Sequence, residues 1–188
     1  MLRSAEDALH LLRRERVLTL TPAGRPRSLV GEIAGKVRGS WWAHPRGGII
    51  FSIASALEDS PEVLGAKLVE GKVAFVHSAL WPQLLRVVLD PEWRKRTEAG
   101  LRAPARQLLA QVERDGKLRL EGRVPARADL EKRALVLASS EHTSSGRHAV
   151  VLRSWDEWAP AALRKQARAL DFDAALADLH AAGLTLSP

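Results

Sequence analysis

Two turn signals, each flanked by strand-like runs, constrain the fold of this chain more than any other feature. The first is Glu70-Gly71, which separates the run 67–69 from the run 72–76. A two-residue connection that contains Gly is typical of a β-hairpin. The second is the segment 143–146, Thr-Ser-Ser-Gly, which lies between the runs 137–142 and 147–152. Each signal predicts an antiparallel strand pair, so both halves of the chain are expected to contain sheet structure.

Helical patterns surround the two hairpins. Ser4 before Glu6-Asp7 predicts a capped first helix that continues to about residue 16. Apolar periodicity and capping residues predict further helices over 49–57, from Ser60-Pro61-Glu62, over 78–88, over 101–115, over 130–137 after Asp129, from Ser154 to about 170, and from Asp171 to Gly183. Short strands are expected at Leu29–Ile33 and at 117–120. The mixture of helices and local strand pairs predicts an α+β fold.

The positive charge of the chain is concentrated in one region. The net charge is +7 overall, but residues 94–170 carry 17 Lys and Arg against 9 Asp and Glu, a net of +8. A local excess of this kind favours a polyanionic partner, although solvated Arg residues are also common in Ala- and Leu-rich chains. The chain has no Cys, which excludes disulfides, thiol catalysis and Cys-rich zinc sites. No segment approaches the length of a membrane span, and the start of the chain lacks the apolar run of a signal peptide, so we expect a cytoplasmic protein with no membrane partner.

The order of elements from Leu101 to Leu152 is helix, short basic strand, helix and hairpin. This order resembles a winged-helix DNA-binding domain, in which the hairpin is the wing and the helix before it enters the major groove. The resemblance implies nucleic-acid contacts, mostly to phosphates, by the residues Arg127, Lys132, Arg133, Arg147 and His148. The segment 121–126 leaves little room for the first of the two helices that precede the wing in that family.

A second resemblance lies in the segment Gly71-Lys72-Val73-Ala74-Phe75-Val76-His77 followed by Leu80-Trp81-Pro82. With a winged module downstream, this segment is similar to small bacterial winged-helix proteins related to the DNA glycosylases that excise alkylated or crosslinked bases. The resemblance covers residues 60–158 and implies a role in DNA repair or in the recognition of base damage. No carboxylate or Gln motif of the glycosylase active site maps onto this sequence.

Taken together, these patterns predict an α+β chain of three parts. Residues 1–97 form a small mixed half with a β-hairpin and a Trp/His surface, residues 98–158 form a winged-helix-like basic module, and residues 159–188 form C-terminal helices that pack on the rest.

The aromatic residues are almost all indoles, with 6 Trp, 3 Phe and no Tyr. Trp41 and Trp42 are adjacent and precede His44-Pro45, and Trp81 follows the first hairpin. Indole rings stack on exposed bases, so we expect Trp41, Trp42 and Trp81 to be base-stacking candidates. The alternative is packing in the core, because neighbouring residues on a strand face opposite sides. We expect one ring of the adjacent pair to be buried and the other partly exposed.

The catalytic candidates are His44, His77, Lys72 and Glu62. The two His residues could act as an acid/base pair with a nearby carboxylate such as Asp59 or Glu62. A buried Lys67 or Lys72 could be a Schiff-base nucleophile, whereas a solvated lysine would only contact phosphate. His44 before Pro45 is more typical of a hydrogen-bonded turn.

No metal site and no cofactor are expected. The spacing of His44 and His77 matches no metal motif, and His142 and His148 with Glu141 are more typical of a polar wing. There is no phosphate-binding Gly loop and no dinucleotide fingerprint.

The sequence therefore favours a DNA-binding protein linked to DNA repair or base-damage recognition. Two alternatives remain open: an enzyme of the glycosylase or hydrolase type that uses His44 and His77, and a protein-interaction module built on Trp and Arg.

Overall fold

A computed structural model of the chain describes residues 2–142 and 148–186, and within these it does not describe the side chains of residues 140–142 and 148. The fold is mixed α+β, 53% helical and 17% strand, with two small sheets, which confirms the predicted class. The helices are α1 (Ala5–Glu15), α2 (Leu29–Ala34), α3 (Gly47–Glu58), α4 (Trp81–Val88), α5 (Pro91–Ala99), α6 (Ala103–Asp115), α7 (Ala126–Lys132), α8 (Trp155–Trp158), α9 (Ala161–Arg168) and α10 (Phe172–Ala181). The strands are β1 (Val17–Thr19), β2 (Arg27–Ser28), β3 (Val63–Val69), β4 (Lys72–His77), β5 (Lys117–Leu120), β6 (Leu137–His142) and β7 (His148–Arg153).

The chain divides into two compact units. The first runs to Trp81 and includes Leu179–Thr185, and the second comprises Pro82–Asp178 with Leu186. The division between the units follows Trp81 at the start of α4, and the three parts 1–97, 98–158 and 159–188 stay a prediction.

The first unit contains a four-stranded sheet in the order β2-β1-β4-β3. The β3–β4 hairpin lies where the sequence predicts it, with Glu70 at φ 50° and Gly71 at φ 71°. Positive φ at both central residues is the backbone of a type I′ turn, whose twist matches that of antiparallel strands. The hairpin is longer than predicted, because β3 begins at Val63 and β4 continues to His77.

The core of the first unit lies between this sheet and helices α1, α2 and α3. Leu12, Leu29, Ile50 and Phe75 are fully buried there. Ser4 Oγ accepts the backbone N–H of Asp7 and caps α1, as the sequence predicts.

The second unit contains a three-stranded antiparallel sheet in the order β5-β7-β6. Helix α6 precedes β5, and α7 lies between β5 and β6. Trp155 is 1% exposed, and its Nε1 donates to Ala134 O at 2.7 Å, so this indole joins α8 to the segment that follows α7.

Four local predictions are wrong. Leu29–Ile33 is the helix α2 rather than a strand, because Ser28 Oγ caps it by accepting Gly31 N at 3.1 Å. Residues 60–62 form a turn rather than a helix start, because the chain enters β3 at Val63 to pair with His77 of β4.

The other two errors lie in the second unit. The helix expected over 130–137 is shifted, because α7 covers Ala126–Lys132 and Leu137 already pairs with Arg153 in the sheet. The helix expected from Ser154 to about 170 is interrupted between α8 and α9 at Pro160, which has no N–H to donate within a helix.

Candidate functional site

The two adjacent tryptophans lie on a short 3-10 helix, Trp41–Ala43, that leads into α3. Their rings stack on each other, with centroids 4.0 Å apart and planes at 25°. Trp41 is half-buried against the core of the first unit, whereas Trp42 is 61% exposed. The structure thus brings together two of the three predicted stacking residues, with one ring on the core side and one in solvent.

Helix α3 extends this surface. The ring of Phe51 lies 5.4 Å from that of Trp42, and Phe51 and Ile49 are 52% and 47% exposed. We call Trp42, Ile49 and Phe51, with Trp41 stacked against Trp42, the Trp42 surface. Sequence reasoning missed Ile49 and Phe51. The available signal was that both lie off the stripe of Ile50, Ile53, Ala54 and Leu57, which α3 buries.

The backbone around Gly47 positions the Trp42 surface. A Cβ on Gly47 would lie 2.9 Å from Trp42 O and 3.1 Å from Trp41 O, so only glycine allows α3 to begin this close to the 3-10 helix. Arg46 Nη1 donates to Ile33 O at 2.5 Å and ties this corner to the end of α2. His44 Nδ1 accepts Arg46 N at 3.1 Å, which makes His44 the hydrogen-bonded turn residue that the sequence favours.

A second cluster joins α1, the turn that precedes β3, and the end of β4. Arg13 from α1 donates to both carboxylate oxygens of Glu62, from Nε at 2.9 Å and from Nη2 at 2.5 Å. His77 Nε2 lies 3.0 Å from Glu62 Oε2, and His77 Nδ1 accepts Ala79 N at 3.2 Å. We call Arg13, Glu62 and His77 the Arg13 cluster. Arg13 was missed because nothing in the sequence distinguishes it from its neighbour Arg14.

The electrostatics of this cluster favour a charged Glu62. The hydrogen bonds from Arg13, and then that from His77, lower the pKa of the Glu62 carboxyl from 4.5 to about 2. The same contact with Glu62 raises the pKa of the Arg13 guanidinium. A carboxylate held in its charged form by a bidentate arginine is a poor proton acceptor at neutral pH.

The hydrogen bonds of the Arg13 cluster limit what it can do chemically. Because Nδ1 accepts a backbone N–H, Nε2 carries the proton of a neutral His77 ring and donates it to Glu62. The sequence predicts an acid/base pair of His44 and His77 with a carboxylate such as Asp59 or Glu62. The structure places Glu62 beside His77, whereas His44 is a hydrogen-bonded residue of the turn before α3. However, neither ring nitrogen of His77 is left to exchange a proton with a substrate. His77 instead caps the 3-10 helix Ser78–Leu80.

The remaining candidates of the first unit have separate settings. Lys72 is exposed at the first position of β4, without the burial that activates an amine as a nucleophile. Trp81 is half-buried, and its Nε1 donates to Val76 O at 3.2 Å.

In the second unit, two of the predicted nucleic-acid contacts also hold the fold together. Arg127 Nε lies 3.0 Å from Glu131 Oε1, and Glu131 is only 5% exposed. Arg133 donates to Thr97 O at 3.2 Å and to Gly100 O at 3.4 Å, which ties the end of α7 to the end of α5. Both guanidinium groups therefore use some of their N–H donors in contacts within the protein.

Other cations of the second unit are directed to solvent. Lys132 at the end of α7 is exposed, as are Arg119 on the edge strand β5 and Arg123 in the loop that follows. Arg147 lies outside the described residues, and so does the side chain of His148, whose backbone begins β7. The same holds for the side chains of Glu141 and His142.

Among the described residues, leaving out the undescribed side chains of 140–142 and 148, no group of three or more His, Asp or Glu is arranged to hold a metal ion. Over the same residues, no helix is long and apolar enough to cross a membrane. Comparisons with protein-family models, with curated proteins and with solved structures returned no match for this chain.

Proposed function

We propose that the protein binds nucleic acid, with DNA as the favoured partner, through a winged-helix-like module made of α6, β5, α7 and the β6–β7 hairpin. The observation that carries the proposal is the combination of this element order, with its sheet order β5-β7-β6, and a net charge of +8 over residues 94–170. Such a charge excess supports contact with the phosphate backbone, which dominates nucleic-acid affinity.

The proposal concerns phosphate contact rather than base reading. Residues 121–125 between β5 and α7 contain no helix, and α7 has 7 residues. One short helix stands where a winged-helix domain has two, so the usual support for a recognition helix in the major groove is reduced. Arg119, Arg123 and Lys132 are the exposed cations that we assign to phosphates, and Arg147 and His148 remain proposed contacts at the hairpin.

A role in DNA repair, or in the recognition of damaged bases, is part of the proposal only through the resemblance of residues 71–82 to the glycosylase-related proteins. The hydrogen bonds of His77 and Glu62 do not support the enzymatic alternative.

The test is duplex DNA binding over a salt series, with two charge-matched triple variants. One removes the proposed contacts (Arg119→Gln, Arg123→Gln and Lys132→Gln), and the control removes three exposed cations from α5 and α9 of the same unit (Lys95→Gln, Lys165→Gln and Arg168→Gln). The slope of log K against log salt is negative, and each lost phosphate contact should bring it closer to zero by about 0.9, because fewer counterions are released.

We expect the first variant to lose slope and affinity while the control stays close to the wild type. Absence of binding at low salt, or a wild-type slope near zero, would overturn the proposed function. Equal losses in the two variants would overturn the assignment to the winged-helix-like module.

A further inference from the structure

The large apolar side chains that the structure leaves exposed among the described residues are concentrated in one place. They are Trp42, Ile49 and Phe51, all within ten residues of each other in the first unit. A single exposed apolar residue needs no explanation, but several in one short segment, two of them in ring contact, indicate a surface that another molecule covers. Trp is the largest apolar side chain, and with Trp42 61% exposed the fold gives up most of the stabilisation that its burial would provide.

The arrangement of the rings indicates what that molecule contains. Trp41, Trp42 and Phe51 form a row, with the first two stacked at 4.0 Å and the third tilted at 5.4 Å from Trp42. Trp41 anchors the row on the core, and Gly47 holds the backbone in a position that no larger residue allows. Because Trp41 covers one face of Trp42, the exposed parts of Trp42 and Phe51 are what the row offers to a further planar ring.

The charge around the row indicates the sign of the partner. Residues 33–57 contain Lys36, Arg38 and Arg46 but no Asp or Glu. Val37 packs against the core, and the side chains on either side of it, Lys36 and Arg38, are exposed. The loop that leads into the Trp pair therefore presents two cations to solvent, which favours an anionic partner.

We propose that the Trp42 surface binds unpaired bases of single-stranded nucleic acid, with Trp42 and Phe51 stacking on the bases and Lys36 and Arg38 contacting the phosphates. Aromatic side chains beside a cationic track are the usual means of binding single strands without sequence preference. This inference rests on the proposed nucleic-acid function, but it uses other residues, in the other unit, and a different form of the ligand.

The experiment measures binding of the full chain to a fluorescently labelled single-stranded DNA oligomer, an abasic oligomer of the same length and a duplex. Three variants separate ring stacking from apolar contact. Trp42→Leu and Phe51→Leu keep an apolar side chain but remove the ring, and Ile49→Ala removes apolar area but leaves the rings in place. Far-UV circular dichroism checks that each variant is folded.

Stacking contributes about 5- to 150-fold in affinity per base, so Trp42→Leu should weaken binding to the single strand by about 10-fold or more. Phe51→Leu should weaken it in the same direction, and Ile49→Ala by less than about 3-fold. On the abasic oligomer, the wild type and Trp42→Leu should bind equally, since no base is present to stack. Lys36→Gln with Arg38→Gln should weaken binding to both oligomers and lower the salt slope.

Three outcomes would overturn the inference. The first is a Trp42→Leu variant that binds the single strand as tightly as the wild type. The second is binding of the wild type to vesicles of anionic lipid with equal losses in Trp42→Leu and Ile49→Ala, which would make this a lipid-facing surface. The third is a dimer in solution that Trp42→Leu converts to a monomer.

The two proposals fail separately. If the Arg119, Arg123 and Lys132 variant leaves duplex binding intact, the winged-helix-like module is not the duplex interface, whatever the single-strand data show. If Trp42→Leu binds the single strand with wild-type affinity while duplex binding retains its salt dependence, only the inference about the Trp42 surface is overturned.

Discussion

The Arg13 cluster and the Trp42 surface belong to the same unit, and they differ in what their side chains leave unsatisfied. In the Arg13 cluster, both carboxylate oxygens of Glu62 and both ring nitrogens of His77 have partners. In the Trp42 surface, half or more of Trp42 and Phe51 faces solvent. Glu62 and His77 are of residue types common in catalysis, but their polar atoms already have hydrogen-bond partners. Trp42 and Phe51 are of types common in protein cores, but their rings are exposed to a ligand.

The type of a residue limits the chemistry of its side chain, whereas its contacts decide whether that chemistry is accessible to a ligand. A histidine beside a glutamate is a candidate base only if one nitrogen is free. An apolar ring is a candidate binding element only if the fold leaves it uncovered. Four substitution experiments test this comparison.

The largest effect is expected from the two tryptophans, whose substitutions should differ clearly in how much stability they remove. Trp41→Ala should lower the free energy of unfolding by about 2–3 kcal/mol, somewhat less than for a fully buried Trp, because it removes a half-buried ring from the core edge. Trp42→Ala should lower it by less than about 1 kcal/mol, since most of its surface is already in water. Urea unfolding measures both. Equal losses would mean that Trp42 is a packing residue and that the Trp42 surface is not available to a partner.

Gly47 and Gly48 offer the next test, because the same change should have opposite signs at neighbouring positions. Gly47→Ala should destabilise by about 1–3 kcal/mol, since its Cβ meets the carbonyl oxygens of Trp42 and Trp41. Gly48→Ala meets nothing within 4 Å and should stabilise the helix by about 0.5–1 kcal/mol. Thermal unfolding of the two variants gives the sign directly. Stabilisation by Gly47→Ala would show that the 3-10 helix is not held against α3.

His77 tests whether the Arg13 cluster is structural. His77→Leu removes both the contact with Glu62 and the cap on Ala79 N, and should cost about 1–2 kcal/mol. His77→Asn keeps an acceptor for the cap, so it should cost distinctly less. If the two variants lose equal stability in urea, the capping role of Nδ1 is not what holds His77 in place.

The smallest effect is expected from Glu62, whose side chain is 29% exposed, and its signature is a pH dependence. The pKa of this carboxyl is lowered from 4.5 to about 2, so its contribution to stability is fully present above pH 4.5 and is lost as the pH falls towards 2. Glu62→Gln should therefore lower the Tm at neutral pH, and the difference from the wild type should vanish near pH 2. A Tm difference that stays constant with pH would contradict the assignment of charge to this contact. Arg13→Gln should show the same profile.

Much of the fold could be predicted because its signals are local. The turn at Glu70-Gly71, the cap at Ser4 and the end of α6 at Gly116 depend only on neighbouring residues, and each is found where the sequence places it. The predicted bounds of a helix were wrong where a single apolar run in the sequence belongs to two different secondary-structure elements. Leu130, Leu135 and Leu137 are all buried, so their spacing is compatible with a helix, although the last of them belongs to a strand.

Some residues of the candidate sites could also be identified from the sequence, and others could not. The sequence identified Trp41, Trp42, Glu62 and His77 by residue type, and the structure brings each pair together. Phe51 and Ile49 were missed although both lie off the buried stripe of α3. Arg13 could not be identified, because its role depends on a residue that is distant in the chain. Arg13 and Glu62 are 49 positions apart and meet only because α1 packs beside the start of β3.

Local patterns were enough to predict the α+β class and the two hairpins, and composition gave the concentration of positive charge in residues 94–170 and the residue types available for chemistry. These depend on backbone preferences and on charge, which are properties of neighbouring residues and of composition. The folded chain was needed to see that both ring nitrogens of His77 have partners, that Arg127 and Arg133 donate to internal partners, and that Trp42 and Phe51 are left in solvent. Burial and hydrogen-bond partners are set by the packing of elements that are far apart in the chain, so no local pattern contains them.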